Sequence, residues 1–450
     1  MTRFALSVTA ASLLFACDPP VPVPISEPDA GAPPANTCPA ANGVVLNHQN
    51  DLLASETWSG DGTVHNIIFG FTIRPGATLT LERCAVVKVK AGAGLSVEGT
   101  AAAPSKLVSQ GTADGPVLVS GMDSQAWGYW RSLSPDGTMD LSYTTFEGGG
   151  AGAPVGSTLL LRGPAPNVMT PMLRANHLTI EGSTGIGLVL ERGAAFTADS
   201  TEVNVLNGGN ATDDAAIMVE PTSAGTIPPG NISGNARDQI RIGGTTLAVP
   251  SDLTLHKRVP YHFKFDRVRV SAPGASPTLT LEPGVEVRFD DYLRIGDSTN
   301  GVNVFPGKLV AIGTVLEPIV FTSAKVPRVA GDWPGVWLVN APGSRLENVH
   351  IDYAGGSNLA SSSNCKPAGT TDDAALLVGW PGTAYIPAAS DFANVTISNS
   401  TSHGINSMWS TPTFGPELTA GFTFVSVSGC SQTRNRISTG PCGTLTCLVP

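Results

Sequence analysis

The residues with the clearest chemical potential are two near-identical pentapeptides, Thr212-Asp213-Asp214-Ala215-Ala216 and Thr371-Asp372-Asp373-Ala374-Ala375, with His403-Gly404 following the second. Adjacent aspartates can supply one carboxylate as acid and another as base when two carboxyl groups stand about 5–9.5 Å apart across a sugar. Asp372, Asp373 and His403 are therefore one candidate catalytic set. The position equivalent to His403 in the first half reads Gly185-Ile186-Gly187, with no histidine. The same pentapeptides also read as side-chain-capped turns entering the apolar strands Ala-Ala-Ile-Met-Val and Ala-Ala-Leu-Leu-Val. We adopt that second reading and keep the catalytic one as the alternative.

Other clusters lend themselves to structural readings. Asp290, Asp291 and Asp297 have the oxygen chemistry of a calcium site but lack a DxDxDG loop, and they read as turn acids. Lys264, Arg267, Arg269, Arg288 and Arg294 would serve a lyase as bases, yet they alternate with apolar residues as an outward strand face does. Trp127, Trp130, Trp333 and Trp337 have faces that can stack on sugars; their matched positions suggest packing instead. Gly296-Asp297-Ser298 is no nucleophile elbow, and no Walker loop, HExxH or dinucleotide fingerprint is present. Neither cofactor nor metal is expected. Sequons occur at Asn210, Asn231, Asn394 and Asn399.

The elements that must position these groups are short strands. Of the 450 residues only 14% are charged, against about 25% in an ordinary soluble domain, while 41% are apolar and Gly 51 plus Pro 36 imply frequent turns. The net charge of −10 and the lack of any basic run exclude nucleic acid as a partner. Leu79, Leu81, Val87, Val89, Leu279, Leu281, Val285, Val287 and Phe289 follow period two over brief stretches bounded by turn residues. No amphipathic helix is evident after the first segment. Strands recurring every seven to ten residues without Asn-Gly-type hairpins favour a parallel coil over a sandwich.

The pattern repeats. Thr78-Leu79-Thr80-Leu81-Glu82 is matched by Thr278-Leu279-Thr280-Leu281-Glu282, Gly111-Thr112 by Gly313-Thr314, and Trp127-Gly128-Tyr129-Trp130 by Trp333-Pro334-Gly335-Val336-Trp337. Leu178 to Ile186 likewise answers Val395 to Ile405. Two units of about 200 residues are expected, 41–236 and 237–430, with a cysteine-bearing tail at 431–450. The stretches GATLTLERCAVVKVKAGAGLSVEGT and PTLTLEPGVEVRFDDYLRIG, then GKLVAIGTVLEPIVFTSAKVPRVAGDWPGVWL, resemble exported bacterial right-handed parallel β-helix repeat proteins with a pectin-lyase-like fold. The resemblance spans residues 55 to 430 and implies an all-β solenoid with coils of about 22–28 residues. That fold hosts lyases and hydrolases as well as proteins with no known reaction. The Asp-Asp and His order loosely resembles polygalacturonases, but their Asn-Thr-Asp and Arg-Ile-Lys elements are missing.

Residues 1–17 read as an export signal, with Arg3 before an uncharged stretch too short to span a bilayer. Leu14-Phe15-Ala16-Cys17 resembles a lipobox, which makes Cys17 the lipid-attachment residue. Residues 18–40 form a Pro-rich spacer. The remaining six cysteines suggest disulfides, and the expected pairs are Cys365 with Cys430 and Cys442 with Cys447. Together these features point to a monomeric, membrane-anchored envelope lipoprotein, at the outer membrane or surface rather than the inner membrane. Its expected role is non-catalytic display, adhesion or glycan binding toward a polysaccharide or surface protein, with 220–236 and 355–372 as specificity loops. The alternative is a polysaccharide lyase or glycoside hydrolase.

Overall fold

Alternation of apolar and polar residues is realised directly in the strands: Thr78–Leu81, Val86–Val89, Thr278–Leu281 and Glu286–Phe289 each bury every second side chain. The computed structural model describes residues 36–152, 156–209, 215–243, 248–264, 267–299, 303–357, 365–366, 371–379, 385–407, 417–434 and 447–448. Residues 1–35 with Cys17, Thr212-Asp213-Asp214, Asn210, Cys442 and most of 358–370 lie outside the described residues. The strands form three sheets of 12, 16 and 8 strands, plus a separate two-stranded pair. Within the three large sheets all pairings are parallel except the last, Gln432–Thr433 with Cys447–Leu448. The fold is thus mostly strand with parallel sheets, as in the solenoid class. Its one α-helix among the described residues is the four-residue Pro221–Ala224.

Parallel neighbours normally need a long crossover; here the crossovers themselves carry further strands of the sheets. Leu79 stacks on Leu107, Leu107 on Met139 and Met139 on Leu173, one coil apart and all buried. Removing such side chains from water, at about 25 cal/mol per Å² of apolar surface, is the main favourable term. The second sheet carries an aromatic stack inside: Phe263 and Phe289 lie 5.6 Å apart with near-parallel rings, and Trp333 stacks on Phe289 at 4.8 Å.

Bends within the longer strands are made by single residues in the left-handed conformation. Tyr143 and His177 take it at one corner, Asn348 and Asn394 at another. Asn and His tolerate this conformation better than branched residues. Successive corners stack: Tyr143 and His177 rings lie 4.3 Å apart, and Asn394 Nδ2 donates to Asn348 Oδ1 at 3.3 Å. Asn394 and Asn399, flagged as sequons, both sit at such corners.

The first sheet ends at Ile232–Ser233 and the third begins at Ala248–Val249, whereas the second runs through: Ile240–Ile242 pairs with Ile217–Val219 and with Tyr261–Phe263. At that switch Arg258 donates to the carbonyls of Ile227 and Pro228 beside the last strand of the first sheet. Motif partners take like local structures. Thr78 is opposite Lys106 and Thr278 opposite Lys308, while Thr112 N–H bonds Gly115 O and Thr314 N–H bonds Glu317 O. Trp127 Nε1 donates to Glu147 O and Trp333 Nε1 to Asp352 O. Stacked partners are separated by 19 to 46 residues, wider than the expected 22–28, because corners accept insertions of unequal length.

The cysteine pairing differs from the expectation. Cys430 bonds Cys447 rather than Cys365, so Cys447 is not joined to Cys442, and Cys38 bonds Cys84. Cys430 precedes Gln432–Thr433 and Cys447 opens the strand antiparallel to it, and their Cα atoms lie 5.3 Å apart. Cys365 is buried and also disulfide-bonded.

Candidate functional site

Asp372 and Asp373 directly precede the strand Ala374–Val378, and His403 opens the strand His403–Ser407 stacked on it, with Ala374 opposite His403. Parallel pairing therefore places His403 one coil beyond the two aspartates, and its backbone N–H bonds Asp373 O at 3.3 Å. Asp373 and His403 line one cleft of about 580 Å³, together with Thr371, Thr401, Ser402 and the Cys430–Cys447 disulfide. Asp372 does not line it. Its side chain is fully buried, 3.8 Å from Lys366 Nζ, and its carbonyl accepts Asn406 Nδ2 at 2.8 Å.

His403 is 4% exposed, and its Nδ1 accepts the Cys430 backbone N–H at 2.9 Å. An acceptor at Nδ1 fixes the neutral tautomer with the proton on Nε2. Burial holds the imidazole below its ordinary range, against the weaker pull of the Thr371 backbone, Asp373 and Asp372. With its lone pair committed to a backbone amide, the ring is poorly placed to abstract a proton. What the cleft offers is hydroxyl groups, one carboxylate and backbone, a lining suited to hydrogen bonding a polar ligand.

The remaining candidates are structural in the described residues. Asp297 sits between Arg294 at 2.7 Å and Arg269 at 3.0 Å, so its carboxylate is already neutralised. Asp290 Oδ2 lies 3.2 Å from His262 Nε2, and Asp291 accepts the Tyr292 N–H. Arg288 pairs with Glu286, and the guanidinium groups of Arg267 and Arg294 lie over Tyr292 and Trp337. Lys264 is also partnered. Trp127, Trp130, Trp333 and Trp337 are buried, which places them in packing rather than on a sugar-facing surface. Among the described residues no group of three or more His, Cys, Asp or Glu side chains is placed to hold a metal, and no helix is long and apolar enough to cross a membrane.

Two features escaped sequence reasoning. Inside the first coil, Trp58 stacks on His48 at 3.9 Å and on His65 at 5.1 Å. The second is a cleft of about 440 Å³ at the ends of three stacked strands, lined by Arg162, Glu191, Arg192, Met218 and Glu220 among others. Its signal was present: LLLR, LVLE and MVE place Arg162, Glu191 and Glu220 at the same end of successive apolar strands.

Comparison with known proteins adds no family: no protein-family model, no curated protein and no solved structure matches the chain.

Proposed function

We propose that this protein is an exported lipoprotein, anchored through Cys17 at the outer membrane or surface, whose right-handed parallel β-helix displays loops and clefts for contact with glycans without catalysing a reaction. The β-helix would be built from two related units of about 200 residues within a pectin-lyase-like fold. Matched local structures at Thr78 and Thr278, and at Trp127 and Trp333, support that part of the reading.

The observation that carries the non-catalytic role is the bond from Cys430 N–H to His403 Nδ1, together with the burial of Asp372. Two of the three acid–base candidates, His403 and Asp372, are thereby engaged by the fold. Convergence of Asp373 and His403 on one cleft is the observation that favours the rival reading, a polysaccharide lyase or glycoside hydrolase using Asp372, Asp373 and His403.

A polysaccharide panel scored for both binding and release of reducing or unsaturated ends separates the two. Binding without release is expected; turnover abolished by Asp373→Asn would replace this reading with the enzymatic one. The anchor is tested by Cys17→Ser, which should move the protein from the membrane fraction to the soluble fraction.

A further inference from the structure

Strand ends of the second sheet bring three ionisable side chains into one file. Arg162 is opposite Glu191 in the parallel register, and Glu220 follows Val219, which is opposite Leu190. Neighbouring strands in a sheet lie about 4.8 Å apart, so Arg162, Glu191 and Glu220 rise along the cleft wall at that spacing. Arg162 Nε and Nη2 both bond Glu191 Oε2, at 3.0 and 2.8 Å. Glu191 Oε1 and Arg162 Nη1 take no partner among the described residues and remain available to a ligand.

Glu220 is 5% exposed and its Oε2 accepts the Gly193 N–H at 3.0 Å. Burial pushes its carboxyl up, against the opposing pull of the Arg192 and Gly193 amides. Met218 supplies apolar surface, packs against the buried Leu160, Ile186 and Val189, and carries Arg241 Nη2 on its sulfur at 2.7 Å. The cavity lies within the range of small-ligand sites, about 300–1,000 Å³.

This set of groups selects by chemistry. An anion would face Glu191 and Glu220, and a cation would face Arg162 and Arg192. A neutral ligand bearing vicinal hydroxyls can use donor and acceptor together, and can lay its C–H face on Met218. We infer that the cleft at Arg162, Glu191 and Glu220 is a subsite for a neutral saccharide, with Arg162 and Glu191 taking adjacent hydroxyls and Glu220 closing the far side. The assignment rests on the glycan-contact reading above and gives it a place and a ligand class.

The test is calorimetric titration of the purified full-length protein with cellohexaose, xylohexaose, mannohexaose and chitohexaose, alongside oligogalacturonate as the anionic probe. At least one neutral hexamer should bind, with oligogalacturonate weaker by tenfold or more. Glu191→Ala and Arg162→Ala should each weaken that binding roughly tenfold, the scale of a lost charge-assisted hydrogen bond. Glu220→Gln, of the same shape and neutral, should hold affinity within about threefold, whereas Glu220→Ala should lower it. Glu191→Gln and unchanged circular dichroism guard against a folding artefact. If a neutral hexamer binds but all these variants bind it as the parent does, the location is wrong and glycan contact stands. Preference for the anionic probe overturns the ligand class. If no probe binds, both this inference and the glycan-contact reading fall.

Discussion

His48 Nε2 and His65 Nδ1 lie 3.1 Å apart and share one hydrogen bond inside the first coil, where Trp58 stacks on both rings. His65 Nε2 is 3.2 Å from Ser59 O, so Nε2 carries the His65 proton, Nδ1 accepts, and His48 Nε2 donates. Burial holds both imidazoles below their ordinary range, opposed by Glu56 and, at His65, by Asp61. The folded state therefore binds protons less readily than the unfolded one. The stability these groups confer is present above about pH 6.5, the unperturbed value, and is lost as pH falls through the lowered folded values. Thermal midpoints measured from pH 8 to pH 5 should fall on the acid side, and His48→Gln should flatten the profile. A midpoint independent of pH across that window would refute the assignment.

The paired tryptophans make a graded prediction. Trp127 and Trp333 each donate Nε1–H to a strand carbonyl, at 2.7 and 2.8 Å, whereas Trp130 Nε1 has no acceptor among the described residues. Trp127→Phe and Trp333→Phe should each cost about 1–3 kcal/mol for the carbonyl left unmet. Trp130→Phe should cost less than either. Urea unfolding of the three variants checks the order.

The disulfides should act through chain entropy. Cys38–Cys84 spans 46 residues and Cys430–Cys447 spans 17. On the loop-closure argument each stabilises by roughly 3–4 kcal/mol, the longer loop more. Replacing both cysteines of either pair by serine should lower the unfolding midpoint accordingly. The Cys430–Cys447 double variant should also alter the cleft beside His403, which that bond lines.

Glu220 gives the opposite pH sign from the histidines. Its carboxyl is pushed up by burial, so its favourable contribution is present at low pH and is lost as pH rises through the folded value. Glu220→Gln should therefore gain stability relative to the parent at neutral pH, and the gain should vanish near pH 4. Paired melts at the two pH values decide it.

Much of the fold was legible because period two and turn residues report directly on backbone geometry. Thr78–Leu81 and Thr278–Leu281 are strands, as their alternation requires. The switch near residue 240 was not legible: Thr78–Leu81 joins the first sheet and Thr278–Leu281 the second, and nothing local to either motif encodes its partner sheet. The cysteine pairing was missed for a related reason. Cys430 meets Cys447 only because the last strand runs antiparallel, a fact of register rather than of spacing. His403 was noticed for its type, but its role depends on Cys430 N–H, a backbone group that sequence does not advertise. Glu191 and Glu220 were overlooked because each looks ordinary until stacking aligns them.

The reversal of Cys447–Leu448 across Gln432–Thr433 has a further meaning for how copies of this molecule behave in company. A coil that stopped on a parallel strand would present a bare row of amides and carbonyls matching the start of any other copy, an invitation to grow fibres. A backward strand, covalently pinned to Cys430, mismatches that template on the third sheet, while the parallel strand Phe422–Val427 remains outermost on the second. Formation of that one disulfide thus holds a non-matching edge on the third sheet.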